Sequence, residues 1–321
     1  MLDEFYPPPP WRWDQRAALW RHCVRDPLQG LKDIVPHHLL RLLPSQAVSD
    51  IGARLGRRAG RRAEFASRRA RAALRLLRPE ASEAEIEALL VAHWDHVGRC
   101  FAEFAAHHRF LGEGRVAIEG GEIPLGILAA GRPLIVAGLH LGNWEILPVA
   151  LSKLEIPFHV IFQALPNRFR MRIAYETRVL ILRLGGPKTA LLLPPNRMAA
   201  LKAHRLLDRR EAALFYYIDE NWGGRVQAPS LGRPLRMDGN IMRVVRLAQR
   251  TGAAVVPAHC VRVGPGPAFR LVFGPEVPMG PSGRGEAGVI EDIGRLDAAI
   301  DTAVRAHPEQ WFMLHCFRAD R

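Results

Sequence analysis

Beyond Gly112, short apolar segments alternate with longer segments of helical periodicity, and this alternation limits the folds open to the chain. The segments with the length and composition of strands are 134–139, 158–162, 214–218, 254–258 and 269–273. Helical patterns lie between them, over 144–154, 167–184, 197–208 and 240–251. Such alternation is typical of an α/β fold with a mostly parallel central sheet flanked by helices. We therefore predict that fold for residues 112–321.

Residues 1–111 differ, because their apolar side chains follow helical spacing. The clearest helix begins after Ser82, since Ser82 and Glu85 have the spacing of a capping box. Apolar residues then recur at steps of three and four as far as Phe104. We expect residues 1–111 to form an N-terminal helical, membrane-facing layer. It would pack on the α/β part within one domain, 1–321.

Residues 54–78 carry much of the positive charge of a chain whose formal net charge is +13. Ten arginines and one acid, Glu64, stand among leucines and alanines at helical spacing, and Pro79 ends the segment. A helix with one small apolar face and one dense cationic face is typical of proteins that bind anionic membranes or acidic partners. A solvated helix face is the alternative. Because like charges this dense repel one another, we favour an anionic membrane surface as the partner of Arg54–Arg78.

We expect no secretory signal and no membrane-spanning helix, so any membrane contact would be peripheral. Acids occupy the start of the chain, and no stretch reaches the roughly 20 apolar residues that a spanning helix needs. Trp11, Trp13 and Trp20 lie among arginines. That pattern suits a membrane interface or a helix docked on the core by its tryptophans, and we favour docking. Four widely separated cysteines predict reduced thiols rather than disulfides or a zinc site.

The segment His140-Leu-Gly-Asn-Trp-Glu145 follows the first of these predicted strands. In open α/β sheets, ligands bind at the carboxyl ends of strands, where His140 is expected. Gly142 permits a tight turn, Asn143 can cap the next helix, and Glu145 can then return its carboxylate to the imidazole. A carboxylate on one ring nitrogen leaves the other free as a general base. Spacing alone leaves an alternative open, a core-edge histidine followed by a helix-capping glutamate.

No protein nucleophile accompanies His140, because the chain has no Gly-x-Ser-x-Gly segment and no cysteine beside this histidine. The attacking group would then be a substrate hydroxyl or amine, and the electrophile an activated acyl group such as a thioester. Backbone N–H groups near Gly142 and Asn143 are candidates for stabilising the oxyanion. We expect neither a metal nor an organic cofactor, since His93 and His96 lack further ligands nearby.

His140–Glu145 resembles the His-x₄-Asp/Glu motif of the glycerolipid acyltransferases. From about residue 34 the chain resembles the bacterial lipid A biosynthesis acyltransferases, the late lauroyl and myristoyl transferases. Further segments match that family in the same order: Leu39–Pro44, Ser82–Phe104, Asn167–Arg178, Leu231–Pro234, Arg250–Pro257 and Pro308–Trp311. The resemblance implies a glycerolipid acyltransferase-like fold. It also implies O-acyl transfer from acyl carrier protein or coenzyme A to a lipid or glycolipid, at the cytoplasmic face of the bacterial inner membrane.

The resemblance also implies roles for individual side chains, with His140 as general base oriented by Glu145. Arg178 and Arg197 match basic positions expected to hold phosphate groups. Asp219 matches the first acid of an Asp-x-Asp block. With Glu220 it is expected to bind sugar hydroxyls or to position His140, and a solvated turn is the alternative. The full set of predicted substrate-binding residues is Asn143, Asn167, Arg178, Arg197, Asp219 and Glu220.

Three features depart from the family pattern. Its usual N-terminal membrane helix is not recognisable here, Asn221 replaces the second acid, and Phe162-Gln163-Ala164 replaces a Tyr-Arg-Pro segment. The two substitutions lie where the acceptor is expected to bind, so they leave the acceptor open. Related enzymes that acylate other glycolipids, including mannosylated phosphatidylinositol, are peripheral, and the chain resembles them in this respect.

Two other functions stay open. A hydrolase would use the same histidine and carboxylate to activate water on a thioester or ester. A basic protein without catalysis would use Arg54–Arg78 to bind a membrane or nucleic acid. Stacking on bases needs several aromatic residues, and this segment has only Phe65, so nucleic acid is not a predicted partner.

Overall fold

The computed structural model describes residues 16–161, 165, 167–183, 192–193, 198–210, 212–222 and 224–318. The helices in these residues are α1 (Arg16–Trp20), α2 (Asp26–Arg41), α3 (Ser45–Arg62), α4 (Glu64–Leu77), α5 (Glu83–Glu103), α6 (His107–Phe110), α7 (Glu122–Ala129), α8 (Leu147–Lys153), α9 (Arg168–Arg183), α10 (Ala199–Asp208), α11 (Gly239–Thr251) and α12 (Gly285–Ala306). A π-helical turn, Arg21–Arg25, joins α1 to α2, and 3₁₀ turns cover Trp144–Ile146, Pro308–Gln310 and Phe312–His315.

The strands are β1 (Val116–Glu119), β2 (Leu134–Gly138), β3 (Phe158–Ile161), β4 (Leu192–Leu193), β5 (Ala213–Tyr217), β6 (Asn221–Trp222), β7 (Arg225–Val226), β8 (Ala254–Arg262) and β9 (Phe269–Phe273). Within the described residues, seven of them form the central sheet in the order β1-β9-β8-β2-β5-β3-β4. Neighbouring strands are parallel except for β8 and β9. The predicted α/β fold with a mostly parallel sheet is confirmed.

Strand β2 lies inside this sheet and positions the candidate site. Its five residues are all buried, with Ile135 in the apolar cluster on one face and Val136 in the cluster on the other. A strand covered on both faces has a near-continuous apolar sequence, which is why this segment was recognisable. The dense packing holds the carboxyl end of β2, and therefore the residue two positions beyond it, in one place.

The sequence predicted one continuous helix over 54–78, and this is wrong. The chain bends at Ala63, which separates α3 from α4. Helix α3 packs very closely on α5: a Cβ at Gly56 would overlap the backbone of Trp94, and one at Gly60 would overlap its ring. Small residues permit this approach, and the bend then turns the apolar face of α4 into the core. The capping box that starts α5 is confirmed, since Ser82 and Glu85 exchange hydrogen bonds with each other's backbone.

Helices α1–α6 form the expected N-terminal helical layer. None of the helices in the described ranges has both the length and the apolar character needed to cross a membrane. Trp20 keeps 59% of its surface exposed, so the expectation that it docks on the core is wrong. Trp11 and Trp13 lie outside the described residues.

Candidate active site

His140 lies beyond the carboxyl end of β2, as predicted, and is bound there by Asp219. The imidazole Nδ1 is 2.8 Å from Asp219 Oδ1, and the His140 backbone N–H donates to Oδ2 at 2.9 Å. Asp219 follows β5, the parallel neighbour of β2. Strand ends of a parallel pair meet at one edge of the sheet, which explains how residues 79 apart in sequence come together.

The surroundings of Asp219 determine which ring nitrogen of His140 carries a proton. Asp219 is fully buried, and Trp311 Nε1–H donates to its Oδ2 at 2.9 Å. Since the carboxylate accepts from each of these donors, Nδ1 is the protonated nitrogen of the neutral ring. Nε2 makes no hydrogen bond within the described part of the chain, and 18% of the His140 side chain is exposed. This arrangement leaves Nε2 able to take a proton from a substrate.

Glu145 binds Arg178 of α9 rather than His140. The guanidinium donates from Nε to Oε2 at 3.0 Å and from Nη2 to Oε1 at 2.6 Å, a paired geometry that holds both side chains firmly. The predicted contact of the Glu145 carboxylate with the imidazole is therefore wrong. Arg178 was expected to hold a phosphate group; in the structure its guanidinium binds this carboxylate, and the phosphate contact stays a prediction.

Burial opposes ionisation of Glu145, but the Arg178 guanidinium outweighs burial and lowers the pKa of that carboxyl below its ordinary value. The His107 and His140 rings act in the same direction. Glu145 is therefore a carboxylate near the imidazole, able to influence its charge without touching it.

Gly142 and Asn143 form the turn that follows His140. Gly142 has φ +58°, and a Cβ there would overlap the carbonyl of Cys260, so glycine is required. Its N–H donates to the Gln310 carbonyl at 3.1 Å, so this N–H is engaged within the protein. Stabilisation of an oxyanion by backbone N–H groups near Gly142 and Asn143 stays a prediction.

The Asn143 side chain belongs to a buried polar network behind the turn. Its Nδ2 donates to Glu103 Oε2 at 2.7 Å and lies 3.0 Å from His107 Nε2. Arg262 binds both oxygens of Glu103 at 2.7 Å each. Asn143 is fully buried and its side chain makes no cap hydrogen bond, so its predicted role as a helix cap is wrong, whereas its role in substrate binding stays a prediction. It anchors the turn that carries His140.

Asn167 has a structural role at the start of α9. Its Oδ1 accepts the N–H groups of Phe169 at 2.9 Å and Arg170 at 3.3 Å, which caps the helix. Its Nδ2 donates to the carbonyl of Asp26 at 3.1 Å. The side chain is buried, and its contact with substrate stays a prediction. Arg197 lies outside the described residues, as do residues 162–164.

Aromatic residues that spacing did not indicate surround His140. The Tyr217 ring lies 4.4 Å from the imidazole, centroid to centroid, with 31° between the ring planes. Its hydroxyl donates to the Trp144 carbonyl at 2.6 Å, and burial raises the pKa of Tyr217 well above its ordinary value. The Phe312 N–H donates to the His140 carbonyl at 2.8 Å. Tyr217 is the last residue of β5, so correct strand register would have placed it here.

Glu220 stands beside Asp219 but is bonded to α11. Its Oε1 accepts the N–H of Asn240 at 2.7 Å, while Oε2 is buried without a hydrogen bond in the described ranges. Burial, together with the Asp219 charge, raises the pKa of Glu220 to about 8 against the opposing backbone hydrogen bonds. Its contact with a sugar hydroxyl stays a prediction. Asp219 itself positions His140, because it is buried and accepts hydrogen bonds from His140 and from the Trp311 indole.

The free energy of unfolding is expected to fall with pH because of Glu220. Between its ordinary pKa of 4.5 and its folded pKa of about 8, the unfolded chain binds fewer protons than the folded chain. Glu220→Gln removes this titration and keeps an oxygen for the Asn240 N–H. The variant should therefore match the unchanged chain near pH 4.5 and be more stable at pH 8, measured by denaturant unfolding. Parallel pH profiles for the two proteins would contradict the assignment.

Comparison with known proteins identifies relatives of this chain. A family model described as bacterial lipid A biosynthesis acyltransferase matches residues 34–317. A phosphatidylinositol mannoside acyltransferase of Mycolicibacterium smegmatis is 30% identical over 187 residues, 58% of this chain and 57% of the relative. One of Mycobacterium tuberculosis is 28% identical over 243 residues, 70% of this chain and 69% of the relative. The first of these matches thus spans less than two thirds of the relative's length.

Proposed function

The chain belongs to the bacterial lipid A biosynthesis acyltransferase family, and on that premise we propose that it is an O-acyltransferase. The acyl group would move from a thioester of acyl carrier protein or coenzyme A to a hydroxyl of a lipid or glycolipid. The observation that carries the proposal is the His140–Asp219 pair, with Nδ1 engaged and Nε2 available at a partly open strand end.

In the proposed reaction, Asp219 holds the Nδ1–H of His140, and Nε2 takes the proton of the acceptor hydroxyl. The acceptor oxygen attacks the thioester carbonyl carbon and forms a tetrahedral intermediate. The carbon–sulfur bond then breaks, and the leaving thiolate receives the proton from the imidazolium. Asp219 stabilises that cation by direct contact, and the carboxylate of Glu145 stabilises it from further away.

We propose a glycolipid as the acceptor, and a phosphatidylinositol mannoside is the first to test. The named relatives are phosphatidylinositol mannoside acyltransferases. Asn221 and the segment 162–164 depart from the pattern of enzymes that act on lipid A. Arg197 stays our candidate for holding a phosphate group of donor or acceptor.

We further propose that the protein acts at the cytoplasmic face of the membrane, with Arg54–Arg78 on an anionic lipid surface. Three arginines of that segment are neutralised within the protein, because Arg57, Arg71 and Arg75 pair with acids of α5. Membrane contact by this segment would therefore depend on its remaining exposed arginines.

The function is tested by incubating the purified chain with a fatty acyl thioester and phosphatidylinositol mannoside vesicles. Coenzyme A and acyl carrier protein thioesters are compared in parallel. We expect an acylated glycolipid by mass spectrometry and little free fatty acid. Free fatty acid that forms equally with and without acceptor would favour the hydrolase instead. No turnover of either donor, together with vesicle binding, would favour a binding protein without catalysis.

A further inference from the structure

Residues 309–312 lie along the turn that begins at His140, and we call them the strap. The N–H of Phe312 donates to the carbonyl of His140 at 2.8 Å, and the N–H of Gly142 donates to the carbonyl of Gln310 at 3.1 Å. The two segments therefore pair as a short antiparallel ladder. This pairing fixes the backbone that carries the proposed general base.

Trp311, inside the strap, also contacts the carboxylate that binds the imidazole. Its side chain is fully buried, and the indole Nε1–H donates to Asp219 Oδ2 at 2.9 Å. The backbone N–H of His140 lies 3.1 Å from Oδ1 and 2.9 Å from Oδ2, so this donor is shared by the two oxygens. The indole, in contrast, contacts Oδ2 and leaves Oδ1 to His140 Nδ1, which is 2.8 Å away. The indole N–H therefore sets the rotation of the carboxylate against the ring.

Two groups away from the imidazole hold the strap in place. The Gln310 side chain accepts the N–H of Arg262 at 2.8 Å and donates to the carbonyl of the same residue at 3.3 Å, at the end of β8. On α5, Nδ1 of the buried His93 lies 3.1 Å from the carbonyl of Glu309. Burial lowers the pKa of His93 to about 3, so the ring is neutral and its Nδ1–H donates to that carbonyl. The position of Trp311 therefore depends on the core of the fold.

We infer that Trp311 is a positioning residue for acyl transfer, which acts through Asp219 on His140. A carboxylate turned away from its present angle would loosen its hold on Nδ1–H, and the imidazole proton could then occupy Nε2. Nε2 is the nitrogen that has to accept the proton of the acceptor hydroxyl, so a proton there blocks the reaction. The indole N–H opposes this rotation before any substrate binds. The catalytic part of the inference rests on the proposed function, whereas the hold on the imidazole proton does not.

The test removes the indole N–H and keeps the ring. Benzothienylalanine, incorporated site-specifically in place of Trp311, has a sulfur atom where the indole has its N–H group, so the buried packing is retained. The same replacement at Trp94 is the matched control, since the Trp94 indole N–H donates to the Ser67 hydroxyl at 3.0 Å. Trp311→Phe and Trp94→Phe repeat the comparison with a smaller ring. Thermal unfolding checks that every variant of the full chain is folded.

The first measurement is the position of the imidazole proton, read by ¹⁵N NMR of histidine-labelled protein at a pH where the His140 ring is neutral. His140→Ala identifies the signals of this ring. In the unchanged chain and in the Trp94 control, we expect the signals of a ring protonated at Nδ1. Benzothienylalanine at position 311 should move them toward a mixture of the two tautomers. Unchanged His140 signals in the folded Trp311 variant would overturn the inference, whatever the rate of acyl transfer.

The second measurement is acyl transfer to the glycolipid. Loss of the Trp311 N–H should lower kcat on the order of tenfold to 10²-fold, as for a slightly misplaced catalytic group, with KM for the acceptor little changed. In an Asp219→Asn background the same replacement should have little further effect, because Trp311 acts through that carboxylate. Equal losses in both backgrounds would make Trp311 an ordinary core residue. If the NMR signals respond as expected but the unchanged chain transfers no acyl group, the proposed function fails and the positioning of the imidazole proton stands.

Discussion

Replacement of His140 by alanine is expected to lower kcat for acyl transfer by about 10²–10⁴-fold, the contribution of a positioned general base. Without Nε2 the proposed reaction lacks the base that takes the proton of the acceptor hydroxyl as its oxygen attacks. Asp219 keeps the backbone N–H of residue 140 and the Trp311 indole as donors, so the local structure should persist. The measurement is the initial rate of acylated glycolipid formation, with thermal unfolding as the check on folding.

His204→Ala is the matched control, because His204 lies on α10 and takes no part in the site. The control should keep the rate of the unchanged chain. Release of free fatty acid should fall together with lipid product in His140→Ala, since hydrolysis would use the same base. Full acyl transfer by a folded His140→Ala protein would exclude the proposed mechanism.

The parallel strands were predictable because burial on both faces leaves long apolar segments in the sequence. Strand β9 has its predicted bounds, and β8 continues to Arg262 beyond the predicted 258. Strand β1 was missed, because Val116–Glu119 is a short edge strand with only one fully buried residue. Helix α12 was missed, since the glycines and prolines near its start, over 280–288, are typical of an exposed loop. Gly285 does have φ +66°, yet the helix begins at it.

The candidate site was predictable only in part. A histidine after a buried strand belongs at the carboxyl edge of the sheet, and His140 is there. The carboxylate that binds His140 depends on the register between β2 and β5. Apolar periodicity identifies the two strands but does not predict their register. Gly138 pairs with Tyr217, so the residues two positions further, His140 and Asp219, are also neighbours. Glu145 is nearer in sequence, but the 3₁₀ turn directs it to α9, whose position depends on long-range packing.

A comparison of two carboxylate variants is expected to show which acid serves His140. Asp219→Asn should lower kcat on the order of 10³-fold or more, because the amide lets the imidazole proton move to Nε2, where it blocks general-base action. Glu145→Gln leaves the Asp219 contact intact and weakens the ion pair with Arg178. We therefore expect a smaller fall in kcat for Glu145→Gln, with denaturant unfolding used to correct both rates for loss of folded protein.

Double variants make this comparison decisive, since residues that act as one unit have strongly non-additive effects on rate. His140→Ala combined with Asp219→Asn should be no slower than His140→Ala alone, because Asp219 acts through the imidazole that is already gone. His140→Ala combined with Glu145→Gln should lose further activity if Glu145 also stabilises charge elsewhere in the site. The reverse pattern, with Glu145→Gln as slow as His140→Ala and Asp219→Asn nearly unaffected, would return the catalytic carboxylate to Glu145 and leave Asp219 a structural anchor of the strand ends.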